Sequence, residues 1–127
     1  MKANVRKFIG ATMLGFAMFS QSLPAWAGQK YLPEVTIGTG WAMGSMVGAR
    51  YSGDSKQAIG CQFEPLYARV SCSATDKTGK SFYCSRIDAN FGNVVKAITD
   101  SSFIYFVGDS QGTCTSLILE NFSRSLR

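Results

Sequence analysis

Histidine is missing from this 127-residue chain, so the side chain that most often acts as a general base at neutral pH is not available. Serine–histidine and cysteine–histidine nucleophile systems are excluded with it, together with most catalytic zinc sites. There is also no C-x-x-C pair to serve as a zinc-ligand motif. The sequence therefore predicts no catalytic triad, no metal site and no cofactor.

Carboxylate pairs remain open as a catalytic apparatus, since two Asp or Glu side chains suffice for glycoside hydrolysis. Most acids of the chain fall in predicted turns or at a predicted helix start: Asp54, Glu64, Asp76, Asp88, Asp100 and Asp109. Carboxylates at such positions accept hydrogen bonds from backbone N–H groups, which gives them a structural role. We therefore expect no enzymatic activity, with a carboxylate-based hydrolase as the alternative.

Long apolar runs are scarce, and the main one, Phe8–Phe19, spans only 12 residues. It is well short of the roughly 20 residues that cross a bilayer. Met1–Lys7 precedes it with three cations and no acid, and Ala25–Ala27 places small side chains at the −3 and −1 positions of a cleavage site. Residues 1–27 are therefore predicted to be a secretory signal peptide. The mature protein, from Gly28, is expected to be secreted or periplasmic, with no stable membrane insertion.

A strong net charge is absent once the signal is removed. The chain has 13 Lys and Arg against 8 Asp and Glu, and three of the cations lie in the signal. The remaining 10 cations against 8 acids give the mature protein a net charge of +2. Its basic residues are scattered rather than clustered, so no nucleic-acid partner is predicted.

The mature chain contains four cysteines: Cys61, Cys72, Cys84 and Cys114. An even number in a small domain of an oxidising compartment predicts two disulfides. Turns predicted at Pro65 and at 76–80 place Cys72 opposite both Cys61 and Cys84. Cys61 and Cys84 are then about 9–10 Å apart, too far for a bridge. The pairing Cys61–Cys72 with Cys84–Cys114 is favoured over Cys72–Cys84 with Cys61–Cys114.

Hydrophobic periodicity predicts one α+β domain over residues 45–122. Strands are predicted at 45–51, 57–63, 67–74, 81–86, 103–107 and 113–120, and a helix with N-cap Asp88 at 89–99. The order β-β-β-β-α-β-β predicts a small antiparallel sheet with one helix on a face. Residues 28–44 are predicted to form a flexible glycine-rich arm, with Trp41 packed on the domain, and 123–127 a tail.

Aromatic residues are numerous for a domain of this size. The alternation that buries Cys72 and Cys84 exposes Tyr67, Arg69 and Tyr83 on the opposite face of the sheet. Exposed tyrosine beside arginine is typical of protein-binding surfaces. Tyr67, Arg69, Tyr83 and Arg86 are therefore the candidate binding residues. Arg86 is the weakest of them, because its position places it on the cysteine face.

Five stretches resemble a group of small exported bacterial proteins with four similarly spaced cysteines: Ile59–Cys61, Val70–Ala74, Cys84–Ser85, Asp100–Phe106 and Gly112–Thr115. The resemblance covers about residues 45–123 and implies a bacterial, exported, disulfide-bonded protein, without implying an activity. The sequence as a whole predicts a non-catalytic binding module of the cell envelope or secreted milieu, whose partner is another envelope or extracellular protein. A structural component of a surface appendage is a further alternative.

Overall fold

The computed structural model describes residues 32–121. The predicted signal peptide, the first residues of the predicted arm and the predicted tail lie outside the described residues. Within them the elements follow in this order: β1 Thr36–Gly38, β2 Trp41–Ser45, α1 Met46–Arg50, β3 Ala58–Glu64, a 3-10 turn Pro65–Tyr67, β4 Arg69–Thr75, β5 Ser81–Ile87, α2 Ala89–Lys96, β6 Phe103–Gly108 and β7 Cys114–Glu120. The predicted α+β fold with antiparallel strands is confirmed.

The strands form two sheets rather than the single sheet predicted. One has the order β1-β2-β6-β7 and the other the order β3-β4-β5. Their inner faces pack together through a shared core that includes Val70, Ile104 and Phe106. The rings of Phe82 and Phe106 stack across it at 5.6 Å. Alternation along a strand identifies its buried face but not the sheet to which it belongs, and this is why the sequence left the division open.

Both predicted hairpins of the three-stranded sheet are present. The turn at Pro65 sets Cys61 opposite Cys72, and the turn after β4 sets Cys72 opposite Cys84. In the second turn the Asp76 carboxylate accepts hydrogen bonds from the Thr78 and Lys80 N–H groups.

The favoured disulfide pairing is confirmed. Cys61–Cys72 joins neighbouring strands of one sheet, while Cys84–Cys114 joins the two sheets. Cys72, Cys84 and Cys114 are fully buried.

The strand predicted at 45–51 is wrong, because Met46–Arg50 forms helix α1. Ser45 caps this helix, since its hydroxyl accepts a hydrogen bond from the Gly48 N–H at 3.1 Å. The Ser102 carbonyl accepts from the Met46 N–H at 2.9 Å, which fixes the point where the chain leaves β2. The cap is local and the second contact comes from a residue far along the chain, and a helix of five residues is too short to show a clear periodicity in the sequence.

The glycine-rich arm predicted at 28–44 is corrected over its described part. Residues 36–45 supply β1 and β2, and β2 pairs with β6 inside the four-stranded sheet. Gly40 adopts φ 77° in the tight turn between the two strands, a conformation that glycine permits at little cost. The packing predicted for Trp41 is present, with its ring 6.2 Å from that of Tyr105.

The predicted helix after β5 is present, but it is shorter than expected. The Asp88 carboxylate accepts hydrogen bonds from the Asn90 and Phe91 N–H groups, which confirms the predicted N-cap. Helix α2 ends at Lys96 rather than near Thr99, because the Thr99 N–H donates to the Ser102 hydroxyl instead of continuing the helix. Gly92 faces the Phe63 ring of β3, which brings the helix close to the inner face of the sheet.

Candidate functional site

The candidate site lies on the face of the β3-β4-β5 sheet turned away from the core, called the outer face below. Strand register assigns to it one residue in two from each strand: Ala58, Gly60, Gln62 and Glu64 of β3, Arg69, Ser71, Ser73 and Thr75 of β4, and Ser81, Tyr83, Ser85 and Ile87 of β5. A Cβ added at Gly60 would meet nothing within 4 Å, so this part of the face is open. Small polar side chains dominate the outer face and surround a few large ones.

Tyr83 and Arg69 are both on this face, as the alternation predicted. The side chain of Tyr83 is 55% exposed, and its hydroxyl donates to the Ser71 hydroxyl at 3.3 Å. Arg69 lies opposite Ile87, which is 68% exposed at the end of β5. An aromatic ring, a guanidinium and an aliphatic side chain therefore lie together on an otherwise flat polar surface.

A shallow cleft of about 460 Å³ borders the outer face along β5. It is lined by Arg69, Tyr83, Ser85, Arg86, Ile87 and Thr113. Three of the four predicted site residues therefore line the same cleft. The segment at Thr113 reaches it because the Ser85 N–H donates to the Gly112 carbonyl at 2.9 Å.

Tyr67 lies elsewhere than predicted. It belongs to the 3-10 turn Pro65–Tyr67, and β4 begins only at Arg69. Ala68 adopts the left-handed conformation, with φ 49°, and this reverses the chain before the strand. Tyr67 and Leu66 are nevertheless 57% and 80% exposed. They extend the exposed surface at the hairpin end of the sheet.

Arg86 is held in place by contacts on the cysteine face. Its guanidinium lies 4.8 Å from the centre of the Phe91 ring and 3.2 Å from the Asp88 carboxylate. It also donates to the Cys114 carbonyl at 3.2 Å. Arg86 thus links β5, the start of α2 and β7, so its main part in this region is structural.

The acidic residues mostly brace loops. The Gln57 side-chain amide donates to Asp54, and with the Lys56 and Gln57 backbone N–H groups it lowers the pKa of that carboxyl to about 2. A hydrogen bond from the Thr78 hydroxyl lowers the pKa of Asp76 in the same way. Carboxyls held ionised in this way are poor proton donors at neutral pH. Among residues 32–121 no group of three or more potential ligands could hold a metal ion.

A second cleft, of about 260 Å³, lies between α1 and the start of β3. Its walls are Met46, Ala49, Arg50, Gln57, Ala58, Ile59 and Asp100. Sequence reasoning missed this cleft, because residues 45–51 were predicted to be a strand. The signal that was available is Ser45 placed three residues before Gly48, a spacing at which a serine caps a helix.

Protein-family models, curated proteins and solved structures were all compared with the chain, and none matches it. In the part of the chain that is described, no helix is long and apolar enough to cross a membrane.

Proposed function

We propose that this chain is an exported, disulfide-stabilised, non-catalytic binding protein that engages another envelope or extracellular protein through the outer face. The observation that carries the proposal is the open face of β3-β4-β5, on which Tyr83, Arg69 and Ile87 are exposed together. Tyrosine and arginine are enriched among residues that dominate protein–protein binding energy. The surrounding serines leave the surface flat enough for a partner to approach.

The arrangement of acids supports a non-catalytic function. Asp54, Asp76, Asp88 and Asp109 each accept hydrogen bonds from nearby backbone N–H groups of a turn or helix start. A carboxylate-based hydrolase of the glycosidase type needs one carboxyl held protonated near a second that is ionised. The two aspartates with a shifted pKa, Asp54 and Asp76, are shifted in the opposite sense, toward the ionised form.

Export is supported by the predicted signal peptide at 1–27 and by the two disulfides, which persist in oxidising compartments. Mass spectrometry of the protein recovered from the periplasm or medium tests this part. The expected mature N-terminus is Gly28. Recovery of the intact chain, starting at Met1 in the membrane fraction, would contradict it.

Photo-crosslinking tests the binding surface in the native host. The variant Tyr83→p-benzoylphenylalanine places a crosslinker on the outer face, and Asn93→p-benzoylphenylalanine places the same group on exposed α2 as the matched control. The expected result is a discrete crosslinked protein from position 83 alone, lost when Arg69→Glu is added. Equal crosslinking from both positions, or none from position 83, would refute this surface as the binding site.

A further inference from the structure

We infer that the free edge of β3 is a strand-acceptor site, at which an extended segment of a partner protein adds to the β3-β4-β5 sheet. This site is separate from the outer face and does not depend on the function proposed above. Strand addition needs an edge with unpaired backbone groups, and it gains specificity from pockets that take alternate side chains. The β3 edge has both.

The unpaired backbone groups follow from the phase of the ladder. In antiparallel sheets successive residues direct their N–H and C=O groups to opposite neighbours. The Ser85 N–H bonds to Gly112, so Ser85 is turned away from β4, and the Asp76–Lys80 bond at the hairpin has the same phase. Register carries this phase across β4 without a bulge. The residues of β3 whose N–H and C=O groups point outward are therefore Ile59, Cys61 and Phe63.

Nothing within residues 32–121 pairs with these outward groups, since no backbone hydrogen bond joins them to another element. Two of the other three edge strands are protected in recognisable ways, and on the third, β7, the Cys114 carbonyl accepts a hydrogen bond from Arg86. β1 is only three residues long, and β5 is bonded near its middle by the segment at Gly112. β3, by contrast, offers seven residues, Ala58–Glu64. Natural proteins usually protect long edges, so an unprotected one is a template for strand pairing.

The cleft of about 260 Å³ supplies the pocket. Ile59 forms one wall and α1 the other, with Met46 and Ala49. Alternate side chains of an added strand point to the same side as Ile59, so one of them can enter this cleft. The walls are largely apolar, and the two charged lining residues, Arg50 and Asp100, are both exposed. The fitting occupant is an extended segment with alternating polar and apolar residues and an apolar anchor.

A second copy of the chain fits this edge less well than a partner segment. If β3 paired with β3 of a second copy, the side chains available to enter the cleft would be Ile59, Cys61 or Phe63 of that copy. Each is already engaged in its own core: Ile59 is 8% exposed, Cys61 is in a disulfide, and Phe63 packs on Gly92. Self-pairing would therefore leave the cleft unfilled.

The test uses the mature chain, residues 28–127, and the blocked peptide acetyl-Lys-Thr-Val-Thr-Leu-Thr-Val-Thr-Lys-amide. Hydrogen–deuterium exchange is followed by NMR at the amides of Ile59, Cys61 and Phe63. Saturating peptide is expected to slow their exchange by about tenfold or more, since pairing protects strand amides. The same peptide N-methylated at every internal residue keeps the side chains but loses the donors, and should give no protection. Replacing the central leucine with aspartate should weaken binding.

Several results would overturn this inference. Slow exchange of the three amides without peptide would mean that the chain covers its own edge. Exchange that slows as protein concentration rises would assign the edge to a second copy. Protection by the N-methylated peptide, protection confined to β7, or no protection would exclude strand addition at β3. Tyr83→Ala should leave peptide protection unchanged, which separates this site from the outer face.

Discussion

At the scale of single residues, the Asp54 carboxylate organises the loop between α1 and β3. It accepts from the Gln57 side-chain amide at 2.6 Å, and the Gln57 oxygen accepts from the Val35 N–H at 2.8 Å. The loop is thereby tied to Val35, a buried residue just before β1. A short hydrogen-bonded relay thus fixes the start of β3, the strand next to the second cleft.

This relay predicts a specific acid sensitivity. The folded-state pKa of Asp54, about 2, lies below its ordinary value of 3.8. A carboxyl with a lowered pKa stabilises the fold above its unfolded-state value, and loses that contribution as pH falls toward the folded-state pKa. We expect stability to decline between pH values of about 4 and about 2. Thermal unfolding measured across this range checks the prediction.

Asp54→Asn is the matching variant, because its neutral amide does not ionise and has one acceptor oxygen instead of two, so it cannot accept the same set of hydrogen bonds as the carboxylate. At pH 7 the variant should unfold at a lower temperature than the parent protein. Between about pH 4 and about pH 2, the range in which the Asp54 carboxyl takes up its proton, it should lose less stability than the parent does. Asp100→Asn, at an exposed aspartate that makes no hydrogen bond within residues 32–121, is the control and should preserve the parental profile. An identical acid profile for Asp54→Asn would contradict the assignment.

Ala68 carries a backbone conformation that suits glycine better. Its φ of 49° lies in the left-handed region, which costs a residue with a Cβ about 1–2 kcal/mol. Ala68→Gly removes that cost but adds the chain entropy of glycine, so a net gain in unfolding free energy of about 0.5–1 kcal/mol is expected. Urea denaturation measures it. Ala97→Gly, where φ is −88°, should instead lose stability. Changes in unfolding free energy of the same sign for the two variants would refute this explanation.

At the scale of elements, the docking of α2 depends on one glycine. A Cβ at Gly92 would lie 2.3 Å from the Phe63 ring, so Gly92→Ala forces the helix or the ring to move. The overpacking is expected to cost about 1–3 kcal/mol, although alanine alone favours a helix by about 1 kcal/mol. Chemical denaturation should show a lower midpoint with an unchanged slope.

Two further variants separate packing from helix propensity. Asn93→Ala changes an exposed position of the same helix and should be neutral or stabilising. Phe63→Leu together with Gly92→Ala should recover part of the lost stability, since the smaller side chain makes room for the methyl group. Additive losses in the double variant would show that the two residues do not compete for the same space.

At the scale of the whole molecule, the two disulfides stabilise different parts of the fold and by different amounts. Cys61–Cys72 spans 11 residues between strands that are already paired, while Cys84–Cys114 spans 30 residues and ties the two sheets together. Loop-closure entropy assigns them about 3 and about 4 kcal/mol of stabilisation. The inter-sheet bridge is therefore expected to contribute more to the stability of the sandwich.

Paired substitutions test this order. The variant Cys84→Ala with Cys114→Ala should lose about 1 kcal/mol more unfolding free energy than the variant Cys61→Ala with Cys72→Ala. Urea denaturation of both variants gives the comparison directly, and reduction of the parent protein should destabilise it more than either variant. A larger loss from the Cys61–Cys72 variant would mean that the hairpin, not the sheet interface, limits stability.

The candidate site shows which of its residues could be predicted from the local alternation of the sequence and which could not. Alternation along β4 and β5 placed Arg69 and Tyr83 on the exposed face, because strand side chains point to opposite sides in strict succession. Tyr67 followed a different rule, since Ala68 interrupts the strand with a turn that alternation does not predict. The second cleft was missed because it depends on α1, whose helix is fixed by Ser45 and by the carbonyl of Ser102, a residue far along the chain.

The sequence by itself determined the α+β class, both hairpins of the three-stranded sheet, the start of α2 and the favoured disulfide pairing, because each depends on neighbouring residues or on simple strand spacing. The tertiary structure decided that there are two sheets, that residues 36–45 supply β1 and β2, and that Met46–Arg50 is helical. Those outcomes depend on which surfaces meet across the core. The physical reason is that the free energy gained by burying apolar surface depends on its area and not on which surface covers it. Only the packing of particular surfaces against each other selects one arrangement.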